Sequence, residues 1–181
     1  GIFQELVRRS YDRQPSQEEI RLVQARFLSE LDRLFDTQPW VAQTIEGAIE
    51  FVAAVQEAPD CAVSIATGGW ERSCRKKLEQ SGFCVAGIPL ASADDAIARV
   101  DIMNASLSKA LKAYEQSAFD TITYLGDGSW DMKASMELGW NFIAVGEPIL
   151  SYIDSRPRYW IKDFADIREL DRILDDIGTI R

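Results

Sequence analysis

The stretch Tyr124-Leu125-Gly126-Asp127-Gly128-Ser129-Trp130-Asp131 carries the strongest chemical signal in this chain. An apolar run delivers Asp127 at its tip, Gly128 permits a tight turn, and Asp131 follows within the first turn of the next helix. Two carboxylates so spaced can converge on one hard cation, and Mg²⁺ takes oxygen ligands while keeping several of its waters. The plainer alternative has Asp127 capping the helix and Asp131 complementing its dipole. Acid on both sides of a glycine turn at a strand tip favours the metal. A second polar strand end is Ser64-Ile65-Ala66-Thr67-Gly68-Gly69-Trp70, where an apolar run stops in a hydroxyl and two glycines just before a helix. A hydroxyl beside the free N–H groups of a helix start, with glycines that let backbone approach a ligand, suits an anion; otherwise Thr67 merely caps the helix. Between these segments lies Arg99, ahead of the helix from Asp101, where a fixed cation could neutralise a phosphate. Lys109, inside that helix, is the reserve cation.

Composition narrows the chemistry further. The chain has 181 residues and no histidine, which removes Ser-His-Asp and Cys-His catalysis and histidine metal sites together. What remains is carboxylate, hydroxyl, lysine or arginine chemistry, or a metal held by oxygen. A net charge of -9 with no basic patch argues against nucleic acid and anionic membrane as partners. A small anionic substrate is still compatible, because a cation and a few aimed N–H groups set the local field. Cys61, Cys74 and Cys84 are odd in number and lack a metal-like spacing, so free thiols in the cytoplasm are expected. No apolar run approaches the roughly 18 residues that a bilayer span requires.

The elements that must position these residues can be read from periodicity. Ile20, Val23, Phe27, Leu31 and Leu34 recur at helical steps, and Ser16 with Glu19 forms a capping box, so Ile2 to about Phe35 reads as a helical hairpin. Asp36 to Thr44 is a connector, and Ile45 to Gln56 another amphipathic helix. From Cys61 onward short apolar strands, at Cys61 to Thr67, Val85 to Leu90, Thr121 to Gly126, Asn141 to Val145 and Tyr159 to Lys162, alternate with helices at Trp70 to Ser81, Asp101 to Gln116 and Ser129 to Leu138. That alternation predicts an α/β fold: a Rossmann-like, doubly wound parallel sheet with a small helical cap. Residues 1–40 are expected to form the cap and 41–181 the core. Ligands of such sheets bind at the carboxyl ends of the strands, where Thr67 and Asp127 fall.

Taken together, these segments resemble the haloacid dehalogenase superfamily. Thr67 matches the hydroxyl of its second motif, Arg99 the basic third, and Gly126 to Asp131 the acidic fourth, which is the most specific of the set. Ile45-Glu46-Gly47-Ala48 also resembles the helix start that precedes the second-motif strand, and the likeness covers roughly Ile2 to Val145. The family's first motif, Asp-x-Asp-Gly-Thr, has no counterpart: Asp60 precedes its strand and Asp120 lies at the wrong strand end.

The resemblance implies a Mg²⁺-dependent hydrolase of a small phosphate ester working through an aspartyl-phosphate, with the nucleophile supplied upstream of residue 1. Thr67, Gly68, Gly69 and Arg99 would bind the phosphate, Asp127 and Asp131 the metal, and Thr67, Arg99 and Asp127 are expected around one cleft. The partner is a small phosphorylated metabolite, and the protein a monomer or homodimer. Alternatives are an inactive binding or interaction module of the same fold, or a branch that cleaves phosphonates or halides; a halide would not need the paired aspartates. A methyltransferase-like cofactor fold is weaker, since Gly68-Gly69 is too brief a glycine loop.

Overall fold

A computed structural model describes residues 2–146 and 157–179. Their order is α1 (Ile2–Tyr11), α2 (Gln17–Thr37), a 3-10 turn (Pro39–Val41), α3 (Ala48–Glu57), β1 (Ile65–Ala66), α4 (Glu71–Gln80), β2 (Leu90–Ala91), α5 (Arg99–Ala113), β3 (Thr123–Gly126), α6 (Ser129–Leu138), β4 (Asn141–Val145), β5 (Tyr159–Ile161) and α7 (Ile167–Thr179). The fold is therefore mixed α/β. Among the described residues the strands form two small parallel sheets, β1-β2 and β3-β4-β5, where the alternation had suggested one doubly wound sheet. Parallel neighbours require a crossover, and α4 and α6 are the crossovers from β1 to β2 and from β3 to β4. None of the described helices is long and apolar enough to cross a membrane.

The chain divides into two compact units, one of Gly1–Gln43 with Ile65–Ser106, the other of Thr44–Ser64 with Leu107–Arg181. In the first, α2 begins on the expected capping box: Ser16 Oγ accepts from Glu19 N–H at 3.2 Å, and Glu19 Oε2 accepts from Ser16 N–H at 2.7 Å. Leu31 and Phe35 are its buried apolar residues, while Phe27 and Leu34 of the same helical repeat are exposed. The face that α2 turns to α4 carries Phe27, whose ring meets the Trp70 indole edge-on at 5.8 Å, and Asp32, which pairs with Lys76.

In the second unit β4 is the central strand, and Phe142, Ala144 and Met132 form a buried cluster against Tyr124 and Trp160. Gly47 starts α3 with a φ of +75°, and a Cβ there would lie 2.5 Å from the Phe164 carbonyl oxygen, so only glycine lets this turn close. Phe164 N–H donates to Glu46 C=O at 2.8 Å and its ring stacks on Phe51. Helix α7, which the strand–helix reading did not extend to, buries Leu170 and Ile177.

Two strands are shorter than their apolar runs. Val63 spends both backbone groups on the Tyr114 hydroxyl, at 3.2 and 3.1 Å, leaving none there for a strand ladder ahead of Ile65. Residues 85–88 close a turn in which Ile88 N–H donates to Val85 C=O and Gly87 has φ +80°, so β2 begins only at Leu90.

The Arg13 guanidinium, aided by the Ser16 N–H, holds the Glu19 carboxyl down at about 2. A depressed carboxylate stabilises the fold above its ordinary value near 4.5, and that support disappears as pH falls toward 2. Arg13→Gln should accordingly lower the melting temperature at pH 7 by more than at pH 2, where Glu19 is about half protonated. Ser16→Ala, which removes the other half of the box, should cost about 1 kcal/mol in denaturant unfolding at pH 7.

Candidate functional site

Thr67 stands at the carboxyl tip of β1 because the parallel ladder carries it there. Ile65 N–H donates to Pro89 C=O at 2.8 Å and Thr67 N–H to Ala91 C=O at 2.9 Å. Beyond Thr67 the chain bends: Gly69 N–H donates to Thr67 Oγ1 at 3.2 Å, and Gly69 C=O accepts from Ala93 N–H at 3.0 Å. Gly69 thus serves the turn, and the Thr67 hydroxyl, which accepts from it, is also hydrogen-bonded to the Cys74 thiol. Helix α4 follows at once, without a side-chain cap from its own N-cap residue, Trp70. Its first N–H, that of Glu71, donates instead to Asp94 Oδ2 at 2.8 Å.

Arg99 opens α5 and reaches back to this loop. Its Nη1 lies 3.5 Å from the Ala66 carbonyl oxygen, and a Cβ at position 68 would sit 3.8 Å from Nη2 and 3.9 Å from the guanidinium carbon. A cation therefore faces the bare backbone of Gly68. The first unit brings Thr67, Gly68, Gly69 and Arg99 together, which their spacing in sequence had suggested only through the resemblance. Lys109 lies further along α5, on the second unit's side of the division.

Cys74, one turn into α4, is half-buried, and burial pushes its thiol up despite its hydrogen bond with the Thr67 hydroxyl and the Lys77 and Arg75 cations. It stays protonated at neutral pH, so it is a poor nucleophile beside the loop.

Asp127 and Asp131 belong to the second unit. Asp127 is exposed at the tip of β3, and among the described residues its carboxylate makes no hydrogen bond or ion pair. Asp131 is the opposite case. Only 3% exposed, it turns Oδ2 back to accept from Gly128 N–H at 3.2 Å. A Cβ at position 126 would fall 2.8 Å from that same oxygen, so Gly126 is a steric requirement of this turn, while one at 128 would meet the exposed Trp130 indole, which would have to swing aside. The capping that could have fallen to Asp127 is performed by Asp131 from within the helix.

For Mg²⁺ the donor set fits in part. Asp127 offers an unengaged, exposed carboxylate of the hard type that the ion takes, whereas Asp131 has committed one oxygen to Gly128. Among the described residues no group of three or more acidic, Cys or His side chains is assembled to hold a metal. Asp94 escaped the sequence reading: Ser92 to Asp95 looks like an ordinary polar turn, and its partners Glu71 and Gln24 are remote in sequence. No protein-family model and no curated protein matches the chain.

The two aspartates should separate cleanly in unfolding experiments. Asp131→Ala removes the cap of α6 and should cost about 1–2 kcal/mol, while Asp127→Asn, at an exposed site, should stay within about 0.5 kcal/mol of the parent.

Proposed function

We propose that this chain carries the phosphate- and metal-binding parts of a Mg²⁺-dependent hydrolase of small phosphate esters, of the haloacid dehalogenase type that its motifs resemble, with a Rossmann-like doubly wound core and a small helical cap. The observation that carries the reading is the Arg99 guanidinium over Gly68, next to the Thr67 hydroxyl. An arginine, a hydroxyl and a side-chain-free peptide at a strand tip are what a phosphoryl group needs for recognition.

In this reading Thr67 donates to one phosphoryl oxygen, the Gly68 backbone approaches another, and Arg99 balances the remaining charge. Gly69 and Asp94 act indirectly, the first by bending the loop and the second by capping α4 so that the loop is held. Asp127 would hold Mg²⁺, with Asp131 fixing the turn that presents it. When bound, the ion neutralises the charge that accumulates as a nucleophile meets phosphorus. In the family that the motifs resemble, a carboxylate attacks phosphorus as the protonated alcohol leaves, and water then cleaves the aspartyl-phosphate; the same step is proposed here.

In the full-length gene product, Asp127→Asn should reduce Mg²⁺-dependent phosphate release from an aryl phosphate by about a hundredfold or more, the scale of losing one aimed electrostatic group. Thr67→Ala should be milder, because the loop backbone survives. A rate that Asp127→Asn leaves unchanged would remove the metal from the mechanism. An inactive parent that still binds phosphate would move the protein to the binding-module class.

A further inference from the structure

A cavity of about 350 Å³ opens beside the Thr67 loop, within the first unit. Trp70, Arg72 and Ser73 at the start of α4 form one wall, Arg21, Gln24 and Leu28 of α2 another, and Asp94 closes one side. The loop and the cavity share structure: a Cβ at Gly69 would lie 3.6 Å from Thr67 Oγ1 and 3.9 Å from Ser73 Oγ.

The charges of this cavity are unusual for the unit. Most of its other arginines are engaged: Arg8 and Arg9 with Glu5, Arg13 with Glu19, Arg26 and Arg33 with Glu30, and Arg75 with Glu71. Arg21 and Arg72 are exposed, have no ion pair or hydrogen bond among the described residues, and both line the cavity. Arg72 also sits in the first turn of α4, where a cation opposes the helix dipole, so helix stability does not account for it. The one carboxylate of the cavity is already committed. Asp94 Oδ1 accepts from Gln24 Nε2 at 2.9 Å and Oδ2 from Glu71 N–H at 2.8 Å. Leu28 and the Trp70 indole, braced by Phe27, supply an apolar surface between the cations.

We propose that this cavity receives the leaving group of the ester, and that the leaving group carries a second anionic group on a small apolar body. The inference rests on the phosphate reading of the Thr67 loop. The phosphoryl end lies at Thr67, Gly68 and Arg99, the apolar body lies against Trp70 and Leu28, and the second anion meets Arg21 and Arg72, whose planar forks suit a carboxylate or a phosphate. The substrate class is thus a doubly anionic phosphomonoester, and the arginine pair discriminates against esters of neutral alcohols.

Calorimetric titration of the whole chain with 4-carboxyphenyl phosphate, phenyl phosphate and 4-methylbenzoate tests this. The carboxylated ester should bind about tenfold or more tightly than phenyl phosphate, the worth of a charge-assisted hydrogen bond. Arg21→Gln with Arg72→Gln should erase that advantage and leave phenyl phosphate unaffected. Equal affinity for the two esters in the parent, or an advantage that survives in the double variant, overturns the proposal. Arg99→Gln separates the two readings. If it leaves phenyl phosphate binding untouched while 4-methylbenzoate still depends on Arg21 and Arg72, the phosphate loop is wrong and the anion cavity stands. If it weakens phenyl phosphate while 4-methylbenzoate fails to bind, the cavity is wrong and the loop stands. Should the double variant melt early, the single substitutions carry the same comparison, each losing part of the advantage.

Discussion

The hydrogen bond from Thr67 N–H to Ala91 C=O is the constraint on which the first unit's chemistry depends. It is the last rung of a ladder whose register sets Ile65 against Leu90 and Ala66 against Ala91, and it decides where β1 stops. Everything polar follows from that stop. The chain turns at Gly68 and Gly69, Ala93 ties the loop to the segment after β2, and Asp94 on that segment caps α4. A few residues later α5 begins with Arg99, already beside Gly68. One short parallel pairing thus gathers a hydroxyl, a bare peptide and a cation at one strand tip.

The second unit solves a related problem by different means. Its strand tip is shaped by sterics: Gly126 makes room for the Asp131 carboxyl, Gly128 makes room for the Trp130 indole, and Asp131 returns a hydrogen bond to the turn. The outcome is a division of labour between two acids that look alike in sequence. Asp131 is buried and structural, while Asp127 is exposed and makes no hydrogen bond or ion pair among the described residues. A carboxylate without a structural duty at a strand tip is available for a cation, which is why the proposed metal role falls on Asp127 first.

Much of this was legible from local pattern. The bounds of α6 and β4 coincide with their apolar runs and glycine punctuation, and the Ser16-Glu19 box forms as its spacing predicts. Local pattern failed where distant groups compete for the backbone. Residues 61–64 read as strand, yet the Tyr114 hydroxyl claims Val63, and one sheet was expected where two small ones form. Helix α7 had its signal in Leu170, Ile173 and Ile177, which a reading centred on strands passed over. Asp94 and the pairing of Arg21 with Arg72 could not be read at all, since their significance lies in what folding brings beside them.

The central claim is that the Thr67–Gly68 loop recognises a phosphoryl group with Arg99 as its cation. The most direct measurement is a titration of the isotopically labelled chain with inorganic phosphate, followed through its amide resonances. The account predicts saturable shifts concentrated at the amides of Thr67, Gly68 and Gly69, little change at Gly87, and affinity about tenfold weaker in Arg99→Gln. Shifts absent from these amides, or unaltered by the loss of Arg99, would contradict it.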